Sequence, residues 1–165
     1  MKTKFDDRKT MEIVLGAVIA ALYVALTLPF APIAYGPVQF RISEALTILP
    51  YFTPAAVPGV TLGCLLSNIL MGSPLPDIVF GTIATLIGAV FSYRLRAHKY
   101  LVCLPPIAAN ALIIPWVLKF AYGVPDLVPV MMFTVGLGEV FAVGILGNML
   151  LLALERCGKT LFREQ

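Results

Sequence analysis

The charges of this chain stand at the edges of long uncharged stretches. No Asp, Glu, Lys or Arg occurs from Ile13 to Phe40, from Ala45 to Pro76, from Ile78 to Tyr93 or from Tyr100 to Leu118. Apolar stretches of that length mark membrane-spanning segments. Composition agrees: 59% of the 165 residues are hydrophobic and 13% are charged, against about 25% charged in an ordinary soluble domain. Mean hydropathy is +0.92. A soluble domain of this size has too little interior to hide so much apolar surface. The pattern excludes a soluble enzyme and a disordered chain, and it argues against a nucleic-acid binder despite the net charge of +3. One spanning helix takes about 20 apolar residues, so six take roughly 120 and leave only short loops. The expectation is an all-α integral membrane protein, a single domain over residues 1–165.

The basic residues set the topology. Lys2, Lys4, Arg8 and Lys9 precede the first apolar run, Arg94, Arg96 and Lys99 sit mid-chain, and Arg156, Lys159 and Arg163 end the chain. The positive-inside rule puts all three groups in the cytoplasm, so an even number of spans separates each pair. Six spans satisfy this, over about 11–28, 38–52, 54–71, 76–93, 101–121 and 127–154, with both termini cytoplasmic. A single long helix through Arg41–Met71 would give five, but Pro50, Pro54 and Pro58 oppose it, because proline removes a backbone donor and breaks or kinks helices. The outer loops are then Pro29–Pro37, Gly72–Pro76 and Tyr122–Asp126, rich in proline and free of Lys and Arg. They read either as stiff covers over a site or as plain punctuation.

Several motifs lead nowhere. The first apolar run is span-length and lacks a convincing small-residue cleavage site, so it does not read as a secretory signal. Cys64, Cys103 and Cys157 have no metal-type spacing, and no metal site is expected. Gly158-Lys159-Thr160 is not a phosphate loop, because Ala153 stands where the motif needs its first glycine. Gly136-Leu137-Gly138 lacks the third glycine of a dinucleotide fingerprint. His98, the only histidine, falls in the basic loop. No catalytic residue and no cofactor are expected in this chain.

The polar residues inside the spans carry the information, since an intramembrane charge is costly and is functional by default. Arg41 and Glu44 fall in the first turns of helix two, Asn68 near the outer end of helix three, and Asp77 at the outer start of helix four. Asn110 falls near the midplane of helix five, and Glu139 about 18 Å into helix six at about 1.5 Å per residue. The set is weighted toward the outer half, which suggests a pocket entered from outside. Each also has a plainer reading. Arg41 and Glu44, three apart on one helix face, can pair with each other. Asp77 can cap its helix. Asn68 and Asn110 can tie helices together. Glu139 has no basic neighbour in sequence and resists such a reading. Asn148 reads as structural and Lys119 as snorkelling to the interface. Trp116, Tyr122, Tyr35, Tyr51 and Phe40 read mostly as belt or packing aromatics, with one or two free to stack on a planar ligand.

Helix one carries Ala17, Ala21 and Ala25 at four-residue spacing, with Gly16 and Ala20 as a neighbouring row. Small residues so spaced admit close approach of another helix, either within the chain or from a partner.

Six short helices, the alanine row and the absence of an ATPase resemble the substrate-binding S components of energy-coupling factor (ECF) transporters. Within that group the run from Gly36 to Leu46, with Arg41-Ile42-Ser43-Glu44-Ala45 at its centre, resembles the QueT family. The resemblance extends over nearly the whole chain. It implies uptake of queuosine precursors, which are 7-deazaguanine bases, or of queuine. It implies partners: a transmembrane T component and two ATPase subunits, which alone use ATP. It implies lids from the loops between helices one–two and three–four, a cell-membrane location, release by toppling, and docking through Ala17, Ala21 and Ala25.

A guanine edge offers adjacent N–H groups that one carboxylate accepts, and its carbonyl wants a donor. Glu139 or Glu44 would take that edge. Asn68, Asn110 or Arg41 would meet the carbonyl and ring nitrogen, and Asp77 a ligand ammonium. The competing readings are an S component for another vitamin, a stand-alone permease, a membrane enzyme and a structural helper subunit.

Overall fold

A computed structural model of the protein describes residues 4–30 and 40–161. Within them every regular element is a helix. The α-helices are α1 (Lys4–Thr27), α2 (Ala56–Leu70), α3 (Leu75–Arg94), α4 (Leu104–Ala121), α5 (Val128–Glu139) and α6 (Asn148–Leu161). A short 3-10 turn, Leu28–Phe30, follows α1. A 3-10 helix, Ile42–Tyr51, precedes α2, and a π-helix, Val140–Gly147, joins α5 to α6. Four stretches are long and apolar enough to cross a membrane: Asp7–Phe30, Leu75–Arg94, Leu104–Ala121 and Val128–Cys157. Ala56–Leu70 is apolar but shorter.

The bundle has a hydrophobic core and, unlike a water-soluble protein, a hydrophobic surface as well. Ile13, Leu70, Leu75, Phe120 and Leu127 stand exposed on its surface, while Arg41, Glu44, Asn68, Asp77, Asn110 and Glu139 are buried within it. Hydrocarbon outside and polar groups inside is the arrangement a bilayer favours. Hydroxyl side chains in the spans bond back to their own helices, as Ser67 Oγ does to the Gly63 carbonyl at 2.7 Å and Thr82 Oγ1 to the Ile78 carbonyl at 2.6 Å.

The second element differs from its expectation. Instead of an α-helix over 38–52, the described part is a 3-10 helix of ten residues, of which Ser43 through Pro50 are all buried. It packs against α1, α2, α3, the π-helix and α6, and so sits at the middle of the bundle. A rise of about 2.0 Å per residue carries it about 20 Å, where α winding would carry it about 15 Å. The tighter winding stretches a short element across more of the interior. Pro50 closes it without a donor to place. The loop expected over Pro29–Pro37, with Tyr35, lies mostly outside the described residues. The last span also differs: α winding gives way to the π-helix immediately after Glu139 and resumes at Asn148.

The small residues of α1 serve two surfaces. Gly16 and Ala20 are buried, while Ala17, Ala21 and Ala25 are exposed. The buried row meets Gly59 and Gly63 of α2, where a Cβ on Gly63 would fall 2.5 Å from Tyr23 Cβ. Backbones therefore approach as closely as small residues allow. Gly63→Ala is expected to force α1 and α2 apart and to cost about 1–3 kcal/mol, read as a lower thermal midpoint in detergent. An unchanged midpoint would mean that the contact is loose.

Two tight turns close the end of the bundle nearest Asp77. Gly72 follows α2 and Gly123 follows α4, each with φ of 66°, a conformation in which glycine carries no Cβ penalty. Lys119 Nζ donates to the carbonyls of Pro125 and Asp126 and fastens the second turn. At the opposite end, Glu155 accepts from Lys99 and from Tyr51, tying α6 to the α3–α4 loop and to the 3-10 helix. His98 is exposed in that loop.

Candidate functional site

All six polar residues singled out in the spans are buried, and they meet at the core of the bundle from five different elements. Arg41 is the residue at the start of the 3-10 helix, with its backbone extended, and its carbonyl accepts the Glu44 amide at 3.0 Å. Its guanidinium acts electrostatically on Glu44. It reaches across to α3, where Nη2 lies 3.6 Å from Asp77 Oδ2. Asp77 is fully buried in the first turn of α3 and makes no capping bond, so the helix-cap reading gives way to an ion pair.

Tyr122, at the end of α4, donates to the same Asp77 Oδ2 at 2.7 Å. Burial, followed by this hydrogen bond, pushes the Tyr122 phenol well above its ordinary pKa and keeps it a donor. The belt reading of Tyr122 is thus replaced by a role inside the cluster. Asn68 of α2 donates to the Asp77 carbonyl at 3.3 Å and contacts Cys64. Gly81 makes room for both, since a Cβ there would fall 3.2 Å from Asn68 Nδ2 and from Asp77 Oδ1.

The remaining carboxylates form a second group. Glu44 accepts a hydrogen bond from the Tyr23 hydroxyl at 2.5 Å, through Oε1. Tyr23 is fully buried on the face of α1 that carries Gly16 and Ala20. Thr27, one turn further on, bonds to Ser43 Oγ at 2.8 Å and fixes the 3-10 helix against α1. The Asn110 carboxamide of α4 interacts with both Glu44 and Glu139. The two carboxylates are close enough for their charges to interact, and Arg41 acts on both. Among the described residues, Oε2 of Glu44, Oε2 of Glu139 and Oδ1 of Asp77 have no hydrogen-bond partner. Buried acceptors left open in this way call for a bound donor.

Other expectations fall away from the site. Asn148 bonds to the Gly144 carbonyl at 2.6 Å, a structural role. Trp116 is half exposed and stacks on Phe120. Tyr51 bonds to Glu155 at the far end. Tyr23 is the residue that reading along the chain passed over. Its spacing from Gly16 and Ala20 places it on the packed stripe of α1, and a phenol on such a stripe needs a buried acceptor.

The buried polar side chains form two groups, Arg41–Asp77–Tyr122–Asn68 near the glycine turns and Glu44–Asn110–Glu139, linked by the charge of Arg41 and each with an open acceptor. Neither holds a nucleophile and base in reacting geometry. The QueT transporter family profile matches residues 13–156. A curated protein described as queuosine precursor transporter QueT, from Lactococcus lactis subsp. cremoris (strain MG1363), is 42% identical over 81 residues. That stretch covers 48% of this chain and 47% of the relative, so the match spans about half of each. No solved structure matches the chain. The family match runs through every element that builds the buried cluster, and the chain, with four stretches among its described residues long and apolar enough to cross a membrane, belongs to the QueT transporter family.

Proposed function

We propose that this chain is the substrate-binding S component of an ECF-type importer and that it takes up queuosine precursors. The observation that carries the reading is the row Glu44–Asn110–Glu139, buried, with one open oxygen on each carboxylate. A 7-deazaguanine presents two adjacent N–H donors and then a carbonyl along one edge. Glu139 accepts the donors, and Asn110 turns its amide N–H to the carbonyl. In a dry pocket, any base that leaves one of these groups unpaired is penalised by about 1–3 kcal/mol.

The Arg41–Asp77–Tyr122 network borders the pocket, and Asp77, whose Oδ1 has no described partner, would take a ligand ammonium. The chain crosses the membrane six times, with both ends and the Arg94–Lys99 loop in the cytoplasm and the glycine turns outside. The exposed row Ala17, Ala21 and Ala25 faces a transmembrane T component, which joins it to two ATPases. The relative's printed description, a queuosine precursor transporter, supports the substrate class.

Purified protein should be stabilised against heat by 7-deazaguanine bases and not by riboflavin, thiamine, biotin or folate. A midpoint shift of several degrees is expected at about 100 times the dissociation constant. Stabilisation by one of the vitamins instead would transfer the site to that ligand. Uptake by proteoliposomes without the ATPase complex would make the chain a self-sufficient carrier.

A further inference from the structure

We infer that the seam between α3 and α4 binds an anionic phospholipid, with one acyl chain in an apolar furrow and the headgroup phosphate on Arg94 and Arg96. Such a site lies apart from the buried polar cluster and requires only that α3 and α4 cross a bilayer.

Small residues make the furrow. Gly88 of α3 lets Pro106 of α4 approach closely, since a Cβ on Gly88 would fall 2.7 Å from Pro106 Cα. Beside that contact Ala108 is too short to fill the surface. A furrow of about 410 Å³ opens there between Ile87 and Phe91 of α3 and Leu104, Pro105 and Leu112 of α4. Every lining side chain is apolar, and Phe91, Leu104 and Leu112 are each about half exposed. Pro105 also removes a backbone N–H from the first turn of α4, where helical N–H groups lack partners, so the furrow stays apolar. From Leu104 to Leu112 the helix rises about 12 Å, against about 15 Å for half of a hydrocarbon core. The furrow therefore suits an acyl chain of one leaflet.

Its mouth is cationic. Arg94 ends α3, and its guanidinium lies 5.7 Å from the centre of the Phe91 ring, a wall of the furrow. The Arg96 guanidinium lies 4.5 Å from the centre of the Tyr93 ring. Both arginines are exposed, and neither joins an ion pair among the described residues. No Asp or Glu occurs between Asp77 and Asp126 to supply one locally. Lys99, by contrast, is held by Glu155. A basic residue at a helix C-terminus also answers the helix dipole, but that role needs no furrow and does not set the guanidinium on its wall. An anionic headgroup with its chain attached engages both features at once.

The same seam contains its own control. Beyond Leu112 a second furrow runs between Pro76 and Phe80 of α3 and Trp116 and Phe120 of α4. Lys119, the cation of that end of α4, is engaged with the carbonyls of Pro125 and Asp126. The second furrow therefore takes a chain without selecting its headgroup. Trp116 is the only tryptophan of the chain and reports on it.

Quenching of tryptophan fluorescence by brominated phospholipids, with the protein in vesicles, is the test. The wild type reads the second furrow, and Phe91→Trp combined with Trp116→Phe reads the first. In that reporter brominated phosphatidylglycerol is expected to bind at least about fivefold more tightly than brominated phosphatidylcholine, the scale of one arginine at a charged interface. At Trp116 the two lipids should differ by less than about twofold. Adding Arg94→Gln and Arg96→Gln to the reporter should abolish the preference. Adding Ala108→Phe should do the same, because it plugs the furrow and leaves every charge in place. A preference that survives Ala108→Phe, or one as large at Trp116, means that anionic lipids only gather around a basic loop and overturns the inference. Equal affinity in the reporter also overturns it, as does displacement of the lipid by inorganic phosphate at physiological ionic strength. A second measurement needs no variant: wild-type protein solubilised from vesicles of equal parts of the two lipids should carry phosphatidylglycerol in excess through detergent exchange, and equal retention overturns the inference. Both leaflets carry both lipids, so the answer does not depend on which end of the bundle faces inward.

Discussion

Arg41→Met is expected to destabilise the bundle by about 3–5 kcal/mol, the scale for removing one partner of a buried ion pair. Asp77 is fully buried, and its described partners are the Arg41 guanidinium at 3.6 Å and the Tyr122 hydroxyl at 2.7 Å, both on Oδ2. Tyr122 offers one hydrogen bond and no charge, so Asp77 would be left ionised in a poor medium or forced to take a proton. Adding Asp77→Asn should recover at least about half of the loss, since the amide still accepts from Tyr122 and no charge is then buried alone. Thermal or denaturant unfolding in detergent measures the cycle. Strictly additive losses, or a cost of Arg41→Met below about 1 kcal/mol, would show that the guanidinium is solvated and not paired.

Glu139→Gln should separate binding from stability by moving them in opposite directions. Affinity for a 7-deazaguanine is expected to fall by about 100-fold or more, because the glutamine amide sets a donor against the donors of the base and removes a charge-assisted bond. The empty protein should be unchanged or more stable by about 1 kcal/mol, since a buried acceptor with no described partner on Oε2 and a charge near Glu44 are both relieved. Both are readable from one thermal series with and without ligand. A variant that unfolds more easily while binding normally would mark Glu139 as a structural tie between helices.

Spacing of charges was enough to read an all-helical chain with membrane-length apolar helices, because a bilayer tolerates so few exceptions that each one is visible. For the same reason Arg41, Glu44, Asn68, Asp77, Asn110 and Glu139 stand out in the chain, and all six are buried. Pairing among them was not legible. Arg41 and Glu44 are neighbours on a helix face in sequence, yet Arg41 turns to Asp77 and Glu44 to Tyr23. Local spacing predicts partners only if the helix has the expected winding, and a 3-10 helix rotates successive side chains by about 120° where an α-helix rotates them by about 100°. Tyr23 and Tyr122 were hidden by their type, since aromatics are ordinary in membrane helices and only the acceptor opposite gives the hydroxyl meaning. The π-helix after Glu139 likewise has no signal in Val140–Gly147, whose residues suit α winding.

The two faces of α1 have a thermodynamic consequence. One face carries Tyr23, whose hydroxyl holds Glu44, and is wedged against Gly59 and Gly63. The other presents Ala17, Ala21 and Ala25 outward on the same rigid rod. Any force that tilts or rotates the rod from outside displaces the phenol from the glutamate. By reciprocity, whatever fills the pocket changes the work needed to move the rod by the same free energy. On the proposed function, occupancy and the mechanical compliance of the first helix would therefore be one variable, and a filled pocket would be sensed from the bilayer side without contact with the cargo.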